Sequence, residues 1–315
     1  MDNSTLDTNY SSDNGSSGAP SDTRPGITSS TTQGRTLGAS VGIPTRRINT
    51  QYQDETNKYW FANNSVLTLY YVAISSLLPD GEAYFVNAIK NYRDQITNPQ
   101  LKAEVAGFIG QEMMHRKEHE KLNTFAGEQG LPLESLLKMN KLLLQKMQQW
   151  LPKKVQLAQT VASEHFTAVL AEFSLRQTEQ EDKWLFTNAE IEKVWHWHAL
   201  EETEHKSVAF DVYQHISRDS WDKGYSTRII TMMLVTIFFI GTVSICHARL
   251  IWSDNKFTKL GDMIRAIPFF WSFKKGLYPS IFKPYLDFYR PGFHPTDHPT
   301  ESLVKHWRRK LNFSN

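Results

Sequence analysis

Two short patterns in the chain place a carboxylate and an imidazole three residues apart: Glu112-Met113-Met114-His115 and Glu202-Thr203-Glu204-His205. On an α-helix that spacing turns both side chains to one face, where together they can grip a metal ion. The neighbours extend each face as an apolar stripe. Val105, Phe108, Leu122 and Ala126 continue the first, and Trp195, Ala209 and Val212 the second. His198 lies on the second stripe, one turn before Glu202, and adds a third imidazole. Two further stripes carry one glutamate each: Leu78, Glu82, Phe85, Val86 and Ile89 in one, Leu157, Val161, Glu164, Ala168, Ala171 and Leu175 in the other. The order along the chain is Glu, Glu-x-x-His, Glu, Glu-x-x-His.

These residue types suit a two-metal site. Hard carboxylates bridge and neutralise two ions while each imidazole caps one, leaving positions open for oxygen or substrate. Without an ion, carboxylates in an apolar core would each cost roughly several kcal/mol or take up a proton. A lone Glu-x-x-His is a weak signal, more often a surface pair. Two copies, each accompanied by an inward-facing glutamate, are not explained that way. The expected metal ligands are therefore Glu82, Glu112, His115, Glu164, Glu202 and His205, which are also the expected catalytic residues, with His198 as a seventh ligand. Two iron ions are the expected cofactor, manganese or zinc being the alternatives. His119 and His165 are read as hydrogen-bonded core histidines. Glu201 and Glu204 are read as solvated or as outer partners of the ligands, and a one-residue shift exchanging Glu201 for Glu202 stays open. Asp211 and Arg116 are candidates for orienting the histidines.

Such a site needs long helices to present it. The helical pattern begins near Asn64, and strand-like alternation is nearly absent. Asn98-Pro99 opens a long periodic run and Gly130-Leu131-Pro132 closes it; Leu151-Pro152 opens another, with proline tolerated in the first turn. Thr187-Asn188 supplies an N-cap for a further run. The ligand order is that of the ferritin-like carboxylate bundles. The expected fold is all-α: a ferritin-like four-helix bundle over residues 46–220, with additional C-terminal helices over residues 221–315. Pro44 to Arg47 read as a linker. Residues 1–45, rich in Ser, Thr, Gly, Asp and Asn, cannot offset the entropy of ordering and are expected to form a disordered tail. They lack a basic segment followed by an apolar one and so do not read as a secretory signal.

The chain has 315 residues, of which 40% are hydrophobic, enough to bury a sizeable core. Its net charge of +2, with no long block of like charge, gives no reason to expect a nucleic-acid partner. The single cysteine, Cys246, excludes disulfide frameworks and cysteine-rich metal sites within the chain. Residues 229–246 read IITMMLVTIFFIGTVSIC, close to the ~18 apolar residues at which a membrane span becomes conceivable. Two alternatives stand for this run: a buried bundle helix, or a membrane-associated one with Arg228, His247 and Arg249 at the headgroups.

Several segments resemble a bacterial family of predicted metal-dependent hydrolases: Leu78-Pro79-Asp80-Gly81-Glu82, Gly110-Gln111-Glu112-Met113-Met114-His115, Ala162-Ser163-Glu164-His165, and Trp197-His198 through Glu204-His205-Lys206 with Phe210-Asp211. Tyr289-Arg290-Pro291-Gly292-Phe293-His294-Pro295 resembles that family's C-terminal signature, although Thr296 follows where tryptophan is expected. The resemblance implies hydrolysis by a metal-activated water. The His198, Glu202, His205 spacing is also similar to the seven-ligand sites of di-iron arylamine N-oxygenases, which implies His198 as a ligand. The expected function is a non-haem di-iron oxidoreductase that activates O2 to oxidise an organic, lipophilic substrate, with the metal-dependent hydrolase as the alternative and iron storage as a third. No Gly-rich dinucleotide fingerprint or cluster cysteine is present, so an external electron donor joins O2 and the small organic substrate, a lipid included, among the expected partners. The expected compartment is the cytoplasm, at the inner face of a membrane if the apolar run meets lipid.

Overall fold

The computed structural model describes residues 43–53, 56–180, 185–218, 224–254, 259–273 and 275–313, all within one compact unit spanning Gly34–Asn315. The expected disordered tail falls almost wholly outside the described residues. The fold is all-α. Its helices are α1 (Ser65–Ser75), α2 (Leu78–Lys90), α3 (Pro99–Glu128), α4 (Leu133–Trp150), α5 (Lys153–Gln180), α6 (Ala189–His205), α7 (Val208–Ser217), α8 (Tyr225–Ser253), α9 (Lys259–Trp271), α10 (Leu277–Asp287) and α11 (Glu301–Lys310). Among the described residues the one β pairing is an isolated bridge, Phe61 to Phe186, which ties the approach to α1 to the approach to α6.

Local chemistry sets the helix starts. Asn64 Oδ1 accepts the Leu67 amide, Asn98 Oδ1 accepts those of Gln100 and Leu101, and Asn188 Oδ1 accepts that of Ile191. Each satisfies a donor that has no partner inside the first turn. Pro99 sits in that turn of α3, where its missing N–H costs nothing. Gly130, at φ +84°, lets the chain leave α3 through the left-handed region.

The glutamate-bearing helices enclose the site. Helix α2 packs on α3 and α5, and α6 packs on α5 and α3, so the four close a ring with their apolar stripes inside. The second stripe is not carried by one continuous helix. Helix α6 ends at His205, Lys206 and Ser207 form a turn, and α7 begins at Val208. The turn brings the buried Lys206 ammonium to the His298 carbonyl at 2.5 Å and the Thr300 hydroxyl at 3.0 Å, which an uninterrupted helix gives no reason to expect.

The segment before the bundle is not a linker. Ile43 is buried against α3 at Gly107, the Pro44 carbonyl accepts a hydrogen bond from Gln111, and Arg46 reaches Glu201 and Glu204. Two glycines on α3 permit this approach: a Cβ at Gly107 would overlap the Ile43 carbonyl, and one at Gly110 would overlap the Thr45 hydroxyl.

Helix α8 runs against α1 and α5 by one face only. It is long and apolar enough to cross a membrane, yet only 33% of its most apolar stretch is buried. The expectation of a fully buried bundle helix is thus not met: Ile230, Met233, Leu234, Ile237 and Ile240 face outward.

Because Gly107 is in contact with backbone, Gly107→Ala should destabilise the protein by about 1–3 kcal/mol by displacing the segment that carries Arg46. Chemical denaturation of the two proteins measures this, and an unchanged midpoint would show that residues 43–50 are not held against α3.

Candidate metal centre

The four helices bring together all seven side chains picked out by spacing. Glu82 from α2, Glu112 and His115 from α3, Glu164 from α5, and His198, Glu202 and His205 from α6 are all buried, none more than 5% exposed. Their ligating atoms fall into overlapping groups lying within 4.8 Å of one another: His115 with His198 and Glu202, Glu82 with Glu112 and His115, and Glu112 with Glu164 and His205. Glu202 spans the site. Its Oε1 lies 2.9 Å from His198 Nε2 and 3.6 Å from His115 Nδ1, while its Oε2 lies 3.4 Å from His205 Nε2. His205 Nε2 is also 3.2 Å from both Glu112 and Glu164.

Most of these atoms lack a hydrogen bond. Both oxygens of Glu82, Glu112 and Glu164, together with Glu202 Oε2, His115 Nδ1 and His205 Nε2, are buried with no hydrogen-bond partner among the described residues. Buried polar atoms are nearly always paired, so an unpaired set converging on one spot suits a cation as its common partner. Four carboxylates and neutral imidazoles also match two divalent ions in charge. The residues present therefore fit a pair of metal ions.

The outer nitrogens of the histidines are held. His115 Nε2 donates to Glu201 at 3.1 Å, and His205 Nδ1 donates to the Gln111 side-chain oxygen at 2.9 Å. In each case the other ring nitrogen is left facing the carboxylates, the usual arrangement for a metal-binding histidine. The two supports are exchanged between the motifs. Gln111, which precedes Glu112, holds the histidine of the second motif; Glu201, which precedes Glu202, holds that of the first. Gln111 also donates to Glu204, which pairs with Arg46 at 2.6 Å and Arg308 at 2.6 Å, and Arg46 in turn pairs with Glu201. His198 Nδ1 contacts His119 Nε2 at 2.6 Å, and His119 Nδ1 contacts the Ser75 hydroxyl at 2.9 Å.

These contacts correct some expectations. Of the two readings of Glu201 and Glu204, solvated or outer partners of the ligands, the structure matches the second, since both are buried beside the site. The register places Glu202 inside and Glu201 against the outer nitrogen of His115. Arg116 pairs with Glu120 at the surface, and Asp211 accepts from His294, so neither orients a ligand histidine. The orienting groups are Gln111, Glu201 and His119. Gln111 had no signal of its own in a single sequence; only its place before Glu112, matching that of Glu201 before Glu202, marks it. His165 is a core histidine, bonded to the Pro284 carbonyl.

Charge in this enclosure is strongly coupled. Burial, followed by repulsion from neighbouring carboxylates, pushes Glu82 and Glu112 well above the carboxylate range, and burial with the charge of Glu202 pushes Glu164 up to about 7. Burial opposes protonation of His205, but Glu202 and Glu164 outweigh it and hold the imidazole well above its ordinary value. Burial and then the neighbouring His198 push His115 and His119 well below theirs. A metal ion bound among these groups would compete with their protons.

The arrangement defines a helical metalloprotein with a buried carboxylate–histidine centre. More particularly, residues 44–299 match the family model of predicted metal-dependent hydrolases, and the chain belongs to that family. Neither the curated proteins nor the solved structures returned a match.

Glu112→Ala and Glu202→Ala should each lower metal content to less than half that of the parent, measured by elemental analysis, with the helical circular dichroism retained. Full loading in both would remove the site from these residues. Glu204→Ala should keep the ligands but leave Arg308 without its carboxylate and Arg46 with Glu201 alone, lowering stability by about 3 kcal/mol. Metal uptake should also release protons. Above about pH 6.5 the unfolded histidines are neutral, while folded Glu164 still holds a proton to about 7. The folded metal-free state then binds more protons than the unfolded one, so its stability falls as pH rises through 7, whereas metal affinity rises. Calorimetric titration in buffers of different ionisation enthalpy reports this release; heats independent of buffer would refute it.

Proposed function

We propose that the protein is a non-haem dinuclear-metal enzyme on a ferritin-like bundle, and that it is a di-iron oxidoreductase using O2 to oxidise a lipophilic organic substrate. The observation that carries this reading is the set of unpaired carboxylate oxygens and imidazole nitrogens, with Glu202 spanning two groups of ligands. Glu82, Glu112, Glu164, Glu202, His115, His198 and His205 would hold the ions. A bound pair of irons would supply electrons for the reduction of O2 and coordination positions at which it binds.

The chain's own residues do the rest. Gln111 and Glu201 fix the ring orientations of His205 and His115, so that ligand nitrogens are turned inward before any ion arrives. Apolar neighbours exclude water: Phe108 packs edge-on against His205, and Trp197 against His115. The cavity that reaches His198 and Glu202 is walled chiefly by Tyr70, Ile74, Leu170, Trp195 and Phe269, surroundings suited to an apolar substrate. Full reduction of O2 takes four electrons. Two come from the substrate, and an external donor must deliver the other two with two protons. The family description favours a second reading, hydrolysis by a metal-activated water.

Elemental analysis of purified protein is expected to give about two irons per chain, with an absorption band that changes on reduction and returns in air. Consumption of O2 should need an added reductant. Zinc with no response to oxygen would favour the hydrolase, and absence of metal under replete conditions would overturn the dinuclear reading.

A further inference from the structure

The cavity beside the ligands does not end at the bundle. It shares Tyr70 and Leu170 with a second hollow lying between α8, α9 and α10. The rim of the outer hollow carries Ile240 of α8, Trp271 of α9 and Phe282 of α10, which are 51%, 64% and 61% exposed. The outward faces of these helices are apolar well beyond the rim: Ile230, Leu234 and Ile237 on α8, and Leu260, Ile264 and Ile267 on α9. Soluble monomers rarely expose a contiguous apolar patch of more than a few hundred Å².

We propose that α8, α9 and α10 rest on a lipid bilayer, and that the hollow between them admits the alkyl chain of a lipid, which passes Tyr70 and Leu170 to lie against His198 and Glu202. A second copy of the chain or a partner protein could cover the same face but would close the mouth of the hollow; a bilayer covers it and supplies an apolar chain at the opening. No Lys or Arg lines the inner cavity among the described residues, so the polar head stays at the surface and a chain carbon is what meets the ligands. Helix α8 lies on the bilayer in this arrangement. Its other face is committed to α1 and α5, with Val235, Val243, Cys246 and Leu250 buried there. The chemistry at the end of the passage rests on the dinuclear reading, whereas the face and the passage do not.

The test uses full-length protein, metal-free and iron-loaded, with two readouts. In flotation with phosphatidylcholine vesicles the parent should rise with the lipid, and Ile237→Asp combined with Ile264→Asp should lower the bound fraction at least tenfold at unchanged iron content. In electron paramagnetic resonance, palmitate carrying a nitroxide near its methyl end should be immobilised by the parent, with affinity at least tenfold weaker in Leu170→Trp. Phe282→Asp, at the exposed rim, repeats the second arm should the tryptophan variant fail to fold. Parent protein that stays off vesicles, or that sediments as a dimer with the apolar face protected, overturns the proposal. So does palmitate binding that the passage variants leave unchanged. Lack of bound iron with both lipid readouts intact would refute the dinuclear reading and leave the passage standing.

Discussion

Four carboxylates held in a low-dielectric core repel one another, and the rest of this structure is organised around relieving that repulsion. Each would cost roughly several kcal/mol if left ionised and unpaired. Protonation of Glu82, Glu112 and Glu164, with an imidazolium at His205, offers one route. Metal ions offer the other, and the inward ring nitrogens are arranged for it. A core with this composition is expensive unless the site is used, which is why the unpaired atoms carry more weight than the spacing that first drew attention to them.

Holding the ligands still is a task shared by segments far apart in the chain. Gln111 and Glu201 each sit beside a ligand glutamate of their own helix and reach across to the histidine of the other, so α3 and α6 are locked in register as well as in contact. Glu204 gathers Arg46, Arg308 and Gln111 behind them, connecting the segment ahead of α1 and the last helix to the centre. The segment from residue 289 to 295 plays a related part. Asp211 pairs with His294, and Phe293 packs with Phe288 and Phe210, clasping the end of α10 to α7 without touching the ligands.

The C-terminal helices border the hollow that adjoins the cavity beside the centre. Helix α8 covers α1 and α5 on one side while leaving an apolar face outward, and α9 and α10 flank it across a hollow. One very apolar helix thus divides its surface between packing and exposure.

Helix positions and the side chains that converge were legible in the sequence because both follow from a local rule: an α-helix returns to the same face every three or four residues, so Glu112 and His115, or His198, Glu202 and His205, point together wherever the helix goes. Caps such as Asn98-Pro99 and Asn188 are equally local. What lay out of reach depends on approach between distant parts. His115 meets Glu201 across 86 residues, His205 meets Gln111 across 94, and Arg46 meets Glu204 across 158. Pro44 to Arg47 read as a linker because nothing local marks their contacts; Gly107 and Gly110 admit this segment only once α3 is in place. The break after His205 and the half-exposure of α8 have the same origin. Periodicity tells which side of a helix is apolar, but whether that side is covered is decided by which other helices reach it, and only the tertiary structure determines that.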